Sequence, residues 1–418
     1  MKKKLMSLLL VAAMAVSMFA ACGGSSDNSA NNNNNAAVST EAGTEANVEV
    51  EADAEYAVAM ITDYGDITDQ SFNQTTYEAC KAFCEANGVD FKYFKPAADS
   101  TADRVASVEL AIDEGYNVIV MPGYAFGGTI AEISGDYPEV KFFGLDVAAG
   151  DLLEAGVALA GESYDYNPAN WDVNEYVHMD NVYCAIYQEE LSGYMAGYAA
   201  VKLGYEKLGF LGGMAVPAVV RFGYGFVQGA DAAAAETGAN VEIKYAYGNQ
   251  FYGDADITAA MDTWYGAGTE VVFACGGGIF SSAAEAAVKV GGKVIGVDTD
   301  QSANINGAYG EGLTVTSAMK GLYPTTVDTL TDVVLNGNWA NYAGKISTLG
   351  LVSGTDVEAN YVQIPVATTQ WADAFTQEDY ATLVAAMFNG EVTVSNDITV
   401  SAADLATVIT VEDLGNLK

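Results

Sequence analysis

The sequence predicts an α/β fold made of two similar lobes, each holding a mostly parallel β-sheet covered by helices. From Tyr56 onward, short apolar runs alternate with amphipathic stretches, and this alternation favours parallel sheets with helices on both faces. About ten strands are predicted, which is many for a single twisted sheet, so two sheets are expected. The 44 glycines and only 7 prolines suit the tight turns of such a protein.

Short apolar segments bounded by turn residues mark the strands. In chain order they are Tyr56–Ile61, Phe91–Phe94, Val118–Met121, Lys141–Leu145, Val182–Ile186, Leu208–Leu211, Val241–Ala246, Val271–Cys275, Val294–Val297 and Leu313–Ser317. Helices are predicted in the intervals. The clearest run from Ser71 to Gly88 and over Ala102–Glu114, Glu190–Leu203, Gly223–Thr237 and Ser281–Val290.

The two lobes are predicted to share the chain in alternating pieces. The first is expected to take residues 55–181 plus about 312–345, and the second residues 182–311 plus about 346–418. Residues 148–179 interrupt the strand–helix rhythm and are acidic and rich in aromatic side chains. We interpret this segment as an insertion near the lobe boundary.

The N-terminus has the pattern of an export signal. Lys2–Lys4 are followed by the largely apolar run Leu5–Met18 and then by Phe-Ala-Ala-Cys ending at Cys22. This ending resembles the lipobox of bacterial lipoproteins, which implies a signal peptide over residues 1–22 and lipidation of Cys22. Residues 23–54 are rich in Gly, Ser, Asn and Ala and are expected to form a disordered tether. A membrane-anchored protein on the extracytoplasmic face is therefore predicted, and a plain secreted cysteine is the alternative.

Charge and cysteine usage argue against two kinds of partner. The chain carries 55 acidic against 17 basic residues, a formal net charge of -38, and such a surface repels the phosphates of nucleic acids. Cys80, Cys84, Cys184 and Cys275 lack a CxxC spacing, and the chain has one histidine, so no zinc site is predicted. We expect buried free thiols, no metal and no cofactor.

Acidic, aromatic and glycine residues concentrate directly after the predicted strands. Asp63, Asp146 and Asp298 each follow a strand closely, and Gly276–Gly278 follow another. Turn formation would explain any one of these glycines, but it explains the whole set poorly. Because open α/β sheets bind ligands at the carboxyl ends of their strands, a ligand site is predicted there.

The motifs of common enzymes are missing from the sequence. There is no G-x-S-x-G nucleophile elbow and no G-x-x-x-x-G-K-[ST] phosphate loop. His178 stands alone within the predicted insertion, away from any nucleophile motif. The sequence therefore favours a binding protein over an enzyme, although a pair of carboxylates could still serve a hydrolase.

Four sequence motifs occur in order along the body of the chain. They are Ala59–Asp63 with Asp69–Gln74, Gly209–Gly213 with Arg221–Phe226, Ile295–Gln301, and Thr316–Lys320. Together they resemble the basic membrane protein family, also called PnrA-like nucleoside-binding lipoproteins, over roughly residues 57–354. The resemblance implies a two-lobed periplasmic-binding-protein type I-like fold with a hinge. It also implies that the protein delivers nucleosides, chiefly purine nucleosides, to the permease of an ABC importer.

The resemblance further implies which residues contact the ligand. The base would be approached by Asp69 and Asn73 and flanked by Phe72, Phe126 and Phe222. The ribose hydroxyls would be held by Asp298 and Lys320, and Gly276 would lie near that pocket. Phe72 fits a core position equally well, and Tyr124 could take the place of Phe126. The sequence departs from the family by carrying Gln70 where lysine is common.

The chemistry of these residue types is independent of the resemblance. Aromatic faces stack on a flat base, and a carboxylate and an ammonium can together hold the hydroxyls of a ribose. Sugars also stack on aromatic rings and bind carboxylates, so a sugar-binding protein of the same fold is one alternative. A nucleoside or glycoside hydrolase is the other.

Overall fold

The computed structural model describes residues 56–418, which hold two β-sheets. The predicted signal peptide, Cys22 and the whole of the predicted tether lie outside the described residues. The strands are β1 Ala57–Ile61, β2 Asp90–Phe94, β3 Val118–Pro122, β4 Lys141–Leu145, β5 Val182–Tyr187, β6 Lys207–Gly212, β7 Glu242–Tyr247, β8 Val271–Cys275, β9 Lys293–Asp298, β10 Thr314–Lys320, β11 Lys345–Leu349, β12 Val362–Gln363 and β13 Thr410–Asn416. All ten predicted strands are present.

Helices fill the intervals between strands and cover the sheets, as the alternation predicted. They are α1 Phe72–Asn87, α2 Thr101–Asp113, α3 Phe126–Ile133, α4 Ala149–Leu159, α5 Val173–Tyr176, α6 Glu189–Lys202, α7 Pro217–Thr237, α8 Ala255–Gly266, α9 Phe280–Val290, α10 Ser302–Tyr309, α11 Leu322–Leu330 and α12 Gln377–Phe388. No helix of the described residues is both long enough and apolar enough to cross a membrane.

Each sheet is the centre of one lobe. The first has the strand order β11-β5-β4-β3-β1-β2, and all its pairs are parallel. The second has the order β12-β10-β9-β8-β6-β7-β13 and is parallel except for the β10–β12 pair. The central strands β3 and β8 are buried along their whole length, as expected for sheets covered on both faces. The two-lobed α/β prediction is confirmed.

The predicted lobe boundaries need correction because strand pairing divides the chain differently. Strand β5 was assigned to the second lobe but pairs with β4 in the first sheet. Strand β10 was assigned to the first lobe but pairs with β9 in the second, and β11 returns to the first sheet beside β5. A strand is followed by a helix both within a lobe and where the chain passes from one lobe to the other. The sequence pattern therefore does not reveal which strand is the last one before a crossing.

The segment 148–179 is also placed differently from the prediction. It forms the connection between β4 and β5 and contains α4, which packs against α3 in the first lobe. Leu152, Leu153 and Val157 are fully buried along α4. The segment is therefore an ordinary helical layer of the first lobe. Its aromatic residues and most of its acidic residues follow α4, whereas Asp151 and Glu154 lie within that helix.

Three crossings connect the lobes, at residues 187–189, 320–322 and 349–351. The backbone N–H of Gln188 donates to the Leu349 carbonyl at 2.9 Å, which ties the first crossing to the third. A Cβ added at Gly350 would overlap the Gln188 side chain, so these two residues are in close contact. Tyr187, Leu322 and Val362 form a small buried cluster at the same place. The three crossings thus lie side by side and form one joint.

The cysteines and the C-terminal segment complete the fold. Cys80, Cys84, Cys184 and Cys275 are buried free thiols, as predicted. After β12 the chain wraps the second lobe and adds β13 at the edge of its sheet. The Asp231 carboxylate accepts the backbone N–H groups of residues 407–409 at 2.8–3.1 Å, which holds this last segment against α7.

Candidate functional site

A cavity of about 320 Å³ lies between the two lobes, at the carboxyl ends of strands from both sheets. Ligands of open α/β sheets bind at this edge, and the volume falls at the lower end of the range of small-molecule sites. The lining residues are Asp63–Asp66, Asp69, Phe72, Asn73, Gly123, Tyr124, Asp146, Ala148, Asp151 and Ile186 from the first lobe, and Val216–Val219, Arg221, Phe222, Phe251, Tyr252, Cys275–Gly278, Val297, Asp298 and Lys320 from the second.

Asp69 and Asn73 organise the loop that enters α1. The Asp69 carboxylate accepts the backbone N–H groups of residues 71, 73 and 74 at 2.9–3.0 Å, which satisfies donors at the start of the helix. Asn73 donates through Nδ2 to Asp63 Oδ1 and Asp69 Oδ2, both at 3.0 Å. Burial raises the pKa of Asp69, and the donated N–H groups oppose that rise. These two side chains therefore shape the cavity wall formed by residues 63–73.

Lys320 is a buried cation surrounded by carboxylates from both lobes. Its ammonium pairs with Asp146, and it lies 3.5 Å from Asp298 Oδ1 and 3.8 Å from Glu189 Oε1. Burial alone would lower the pKa of Lys320, but Asp146, Asp298 and Glu189 raise it well above its usual value. Burial also raises the pKa of Asp146 to about 6, although Lys320 acts in the opposite direction. Lys320 is therefore charged at neutral pH.

Asp146 and Asp298 occupy equivalent places in the two lobes. Asp146 follows β4 directly and Asp298 is the last residue of β9. Both have left-handed backbone conformations, with φ of 57° and 65°, which non-glycine residues seldom adopt. Such strain persists where the surroundings hold it in place, and it concentrates at binding and catalytic sites. Here the strained turns direct both carboxylates towards Lys320.

Aromatic rings form much of the remaining wall. Lys320 Nζ lies 4.7 Å from the centre of the Phe72 ring and 5.6 Å from that of Phe222. Tyr124 also lines the cavity, whereas Phe126 is fully buried in the hydrophobic core of the first lobe. The expectation that Phe126 flanks the ligand is therefore wrong. Phe126 begins helix α3, and its side chain faces the sheet.

Gly276 meets a steric requirement where β8 ends against the cavity. A Cβ at this position would lie 3.0 Å from both Gly213 Cα and the Phe251 ring. Its φ of 158° and the φ of 52° at Gly277 turn the chain sharply after the strand. The close approach of backbone to backbone leaves no space for a side chain, so glycine is required there.

Direct contacts join the two lobes across the cavity. The Ser71 hydroxyl donates to Asp298 Oδ2 at 2.5 Å, and Gln301 Nε2 donates to the Gln70 carbonyl at 3.1 Å. With the Lys320–Asp146 pair, these contacts tie the start of α1 and the end of β4 to the second lobe. The two lobes are therefore in direct contact across the cavity.

Sequence reasoning placed most of this site but missed part of it. Seven of the eight predicted ligand-binding residues line the cavity: Asp69, Phe72, Asn73, Phe222, Gly276, Asp298 and Lys320. It missed Glu189, which is fully buried and faces both Lys320 and Arg221. The signal available for Glu189 was its position immediately after a strand, but that strand had been assigned to the other lobe.

The chain is similar to known transport proteins. The family described as "ABC transporter substrate-binding protein PnrA-like" matches residues 56–363. The Lactococcus lactis "ABC transporter nucleoside-binding protein BmpA" is 27% identical over 258 residues, which cover 58% of this chain and 64% of that protein. An uncharacterised lipoprotein of Pyrococcus abyssi is 24% identical over 323 residues, covering 74% of this chain and 69% of that protein.

Solved structures support the same fold. A solute-binding protein of an ABC transporter system from Conexibacter woesei matches with a TM-score of 0.58 and 20% sequence identity. The match covers 82% of this chain and 99% of that protein. At this level of identity the likeness concerns the fold alone, and it agrees with the two lobes and the cleft between them.

Proposed function

Because the chain belongs to the PnrA-like family of ABC transporter substrate-binding proteins, we propose that its cavity binds nucleosides, chiefly purine nucleosides. The family and the fold are those of solute-binding proteins and not of enzymes. The proposal extends to delivery of the bound nucleoside to the permease subunits of an ABC importer. It draws support from the nucleoside-binding relative in Lactococcus lactis.

The observation that carries the proposal is the grouping of Asp146, Asp298 and Lys320 beside the Phe72 and Phe222 rings. A nucleoside joins a flat, largely apolar base to a ribose with vicinal hydroxyls. The carboxylates can accept hydrogen bonds from two hydroxyls, and the ammonium can donate to one. Hydrogen bonds to charged groups contribute about 1.5–3 kcal/mol each, and stacking of a base on an aromatic ring contributes about 1–3 kcal/mol.

These contributions are of the size that micromolar binding requires. A Kd of 1 μM corresponds to about 8 kcal/mol, and the loss of ligand freedom and side-chain ordering must be subtracted from the gross sum. Much of the cavity wall is already fixed by contacts within the protein. Hydrogen bonds of Asp69 and Asn73 fix the wall of the first lobe, and close backbone packing at Gly276 fixes the wall of the second. A pre-formed wall lowers the cost of binding.

We expect neutral nucleosides to bind at least tenfold more tightly than their 5′-monophosphates, a difference of about 1.4 kcal/mol. The two cations that line the cavity, Lys320 and Arg221, are already paired with buried carboxylates. Asp63 and Asp298 add further acidic groups to the lining. A phosphate would therefore meet net negative surroundings. Calorimetric titration with adenosine, guanosine, their free bases and their monophosphates measures the difference.

The same titration separates the competing functions. Equal affinity for nucleoside and monophosphate would contradict the electrostatic argument. Binding of free hexoses or pentoses without binding of any nucleoside would favour the sugar-binding alternative. Chromatography of the mixture after titration tests the hydrolase alternative, because a hydrolase would release free base and ribose during the experiment.

Lipid anchoring at Cys22 is the proposed route to the membrane. The lipobox-like ending at Cys22 and the lipoprotein among the relatives support an extracytoplasmic, lipid-anchored protein. We expect Cys22→Ser to abolish incorporation of labelled fatty acid and to leave the precursor unprocessed or release the protein from the membrane. Cys80→Ser is the matched control, because Cys80 is a buried core thiol. Lipid labelling that persists in Cys22→Ser would refute the anchor.

A further inference from the structure

Glu189 lies behind the cavity wall and contacts both of the cations that line the cavity. It is fully buried, and it is the first residue of α6, directly after the crossing at Gln188. Its Oε2 accepts a hydrogen bond from Arg221 Nε at 2.7 Å, and its Oε1 lies 3.8 Å from Lys320 Nζ. One carboxylate therefore contacts two cations that come from different elements, α7 and β10.

Close contact between α6 and α7 brings Glu189 to Arg221. A Cβ on Gly193 would overlap the carbonyl oxygen of Phe222, and a Cβ on Gly225 would overlap the carbonyl oxygen of Glu190. The two backbones are thus in direct contact near the cavity, closer than side chains would permit. The first turn of α6 is held against the first turns of α7 in a fixed position, which sets the geometry of the Glu189–Arg221 pair.

The charges around the two cations show what Glu189 contributes. Lys320 also contacts Asp146 and Asp298, which line the cavity and are available to a ligand. Arg221 lines the cavity too, and its ion pair is with Glu189. Without the Glu189 charge, Arg221 would lose the carboxylate that its Nε contacts, and the guanidinium would face the cavity with less negative charge beside it. A guanidinium is well suited to bind phosphate through two parallel hydrogen bonds.

We propose that Glu189 is a specificity-determining residue that excludes anionic ligands from behind the cavity wall, chiefly by neutralising Arg221 and also by adding to the carboxylates around Lys320. It touches no ligand itself and acts through the two cations. This inference rests on the proposed nucleoside function and deepens it. It predicts that selection against a phosphate group depends on a side chain outside the cavity.

The test is the ratio of Kd values for adenosine 5′-monophosphate and adenosine, measured by calorimetry in Glu189→Gln and in the wild type. Glutamine keeps the shape of the side chain and can still accept a hydrogen bond from Arg221. We expect the ratio to fall about tenfold, which corresponds to about 1.4 kcal/mol. Monophosphate binding by the variant should also weaken as salt is raised, because it depends on charge.

Glu236→Gln is the matched control. Glu236 joins the same two helices at their other end, through an ion pair with Lys202 at 3.3 Å. It carries the same charge and lies away from the cavity lining. We expect this variant to keep the wild-type ratio. A ratio that shifts equally in both variants would overturn the proposal, because it would reflect net charge alone.

A second variant covers the case in which Glu189→Gln fails to fold. The double substitution Glu189→Gln with Arg221→Met removes both members of a buried pair, which is far less disruptive than removing one. With the guanidinium absent, the preference for adenosine should return to within about threefold of the wild type. An unchanged ratio in folded Glu189→Gln, or a monophosphate preference in the double variant, would overturn the proposal. Failure of the wild type to bind adenosine and guanosine would instead refute the proposed function.

Discussion

Lys320→Met is expected to destabilise the protein by about 3–5 kcal/mol, because it leaves buried carboxylates without their cation. Asp146, Asp298 and Glu189 all face the Lys320 ammonium, and methionine has a similar length without the charge. Binding of adenosine and guanosine should also be lost to calorimetric detection, because one donor is removed and the carboxylates are repelled from one another. Urea denaturation of the wild type and the variant measures the free energy of unfolding.

The free energy of unfolding that Lys320→Met removes should depend on pH, and the direction of that dependence follows from the pKa of Asp146. The folded protein raises the pKa of this carboxyl to about 6 from an ordinary value of 3.8. The stability that the raised pKa contributes is therefore present below about pH 4 and lost as pH rises through 6. Lys320 lowers that pKa, so its removal raises it further. Lys320→Met should accordingly cost less stability at pH 5 than at pH 8.

Lys289→Met is the control for Lys320→Met. Lys289 pairs with Asp262 at 2.6 Å, but both side chains are about half exposed, and exposed pairs contribute only about 0–1 kcal/mol. A cost for Lys320→Met as small as that for Lys289→Met would contradict the view that Lys320 compensates the buried carboxylates. So would a cost that does not change between pH 5 and pH 8.

Phe222→Ala is expected to weaken adenosine binding by about 10- to 100-fold, which corresponds to about 1.4–3 kcal/mol. The Phe222 ring lies on the cavity lining and packs edge-on against Phe273 at 6.1 Å. Truncation removes a face on which the base can stack. Because the side chain is buried, the variant should also lose about 3–5 kcal/mol of stability. Calorimetry and urea denaturation measure the two effects separately.

Two further variants distinguish stacking from general loosening of the fold. Phe226 lies one turn along the same helix, is fully buried and packs on the same Phe273 at 5.3 Å, but is absent from the cavity lining. Phe226→Ala should lose similar stability and keep its affinity for adenosine. Phe222→Leu should keep most of the stability and still lose affinity. Equal affinities in Phe222→Ala and Phe226→Ala would count against stacking on Phe222.

The sequence was sufficient to predict strands β1 to β10, because each is a short, largely apolar run that ends in turn residues. Strands β11, β12 and β13 were not predicted. It was also sufficient to place the cavity, because Asp63, Asp146 and Asp298 follow strands of the two sheets whose carboxyl ends face the cavity. The left-handed backbone conformations of Asp146 and Asp298 are a property of the folded chain and cannot be read from residue type. Because parallel strands have their carboxyl ends on the same side of a sheet, the positions of the strands alone were enough to predict where the cavity lies.

Other features depend on distances that no sequence pattern contains. Tyr124 and Phe126 are two residues apart in a turn, and only its geometry decides that the first lines the cavity and the second enters the core. The pairing of β5 with β4, and of β11 with β5, joins segments far apart in the chain. Glu189 was missed for the same reason, since its partners lie in α7 and β10.

The return of β11 to the first sheet also bears on the order in which the newly made protein matures. Domains generally fold from the N-terminus as the chain is synthesised, but here the first lobe is incomplete until residues 345–349 have been made. Until then β5 is an uncovered edge whose backbone donors and acceptors invite pairing with other chains. All strands of the second lobe from β6 to β10 are made during that interval. The first lobe is therefore completed only after most of the second has been made, and a shortened chain ending before β11 would leave both unfinished, because β12 and β13 of the second sheet also follow β11.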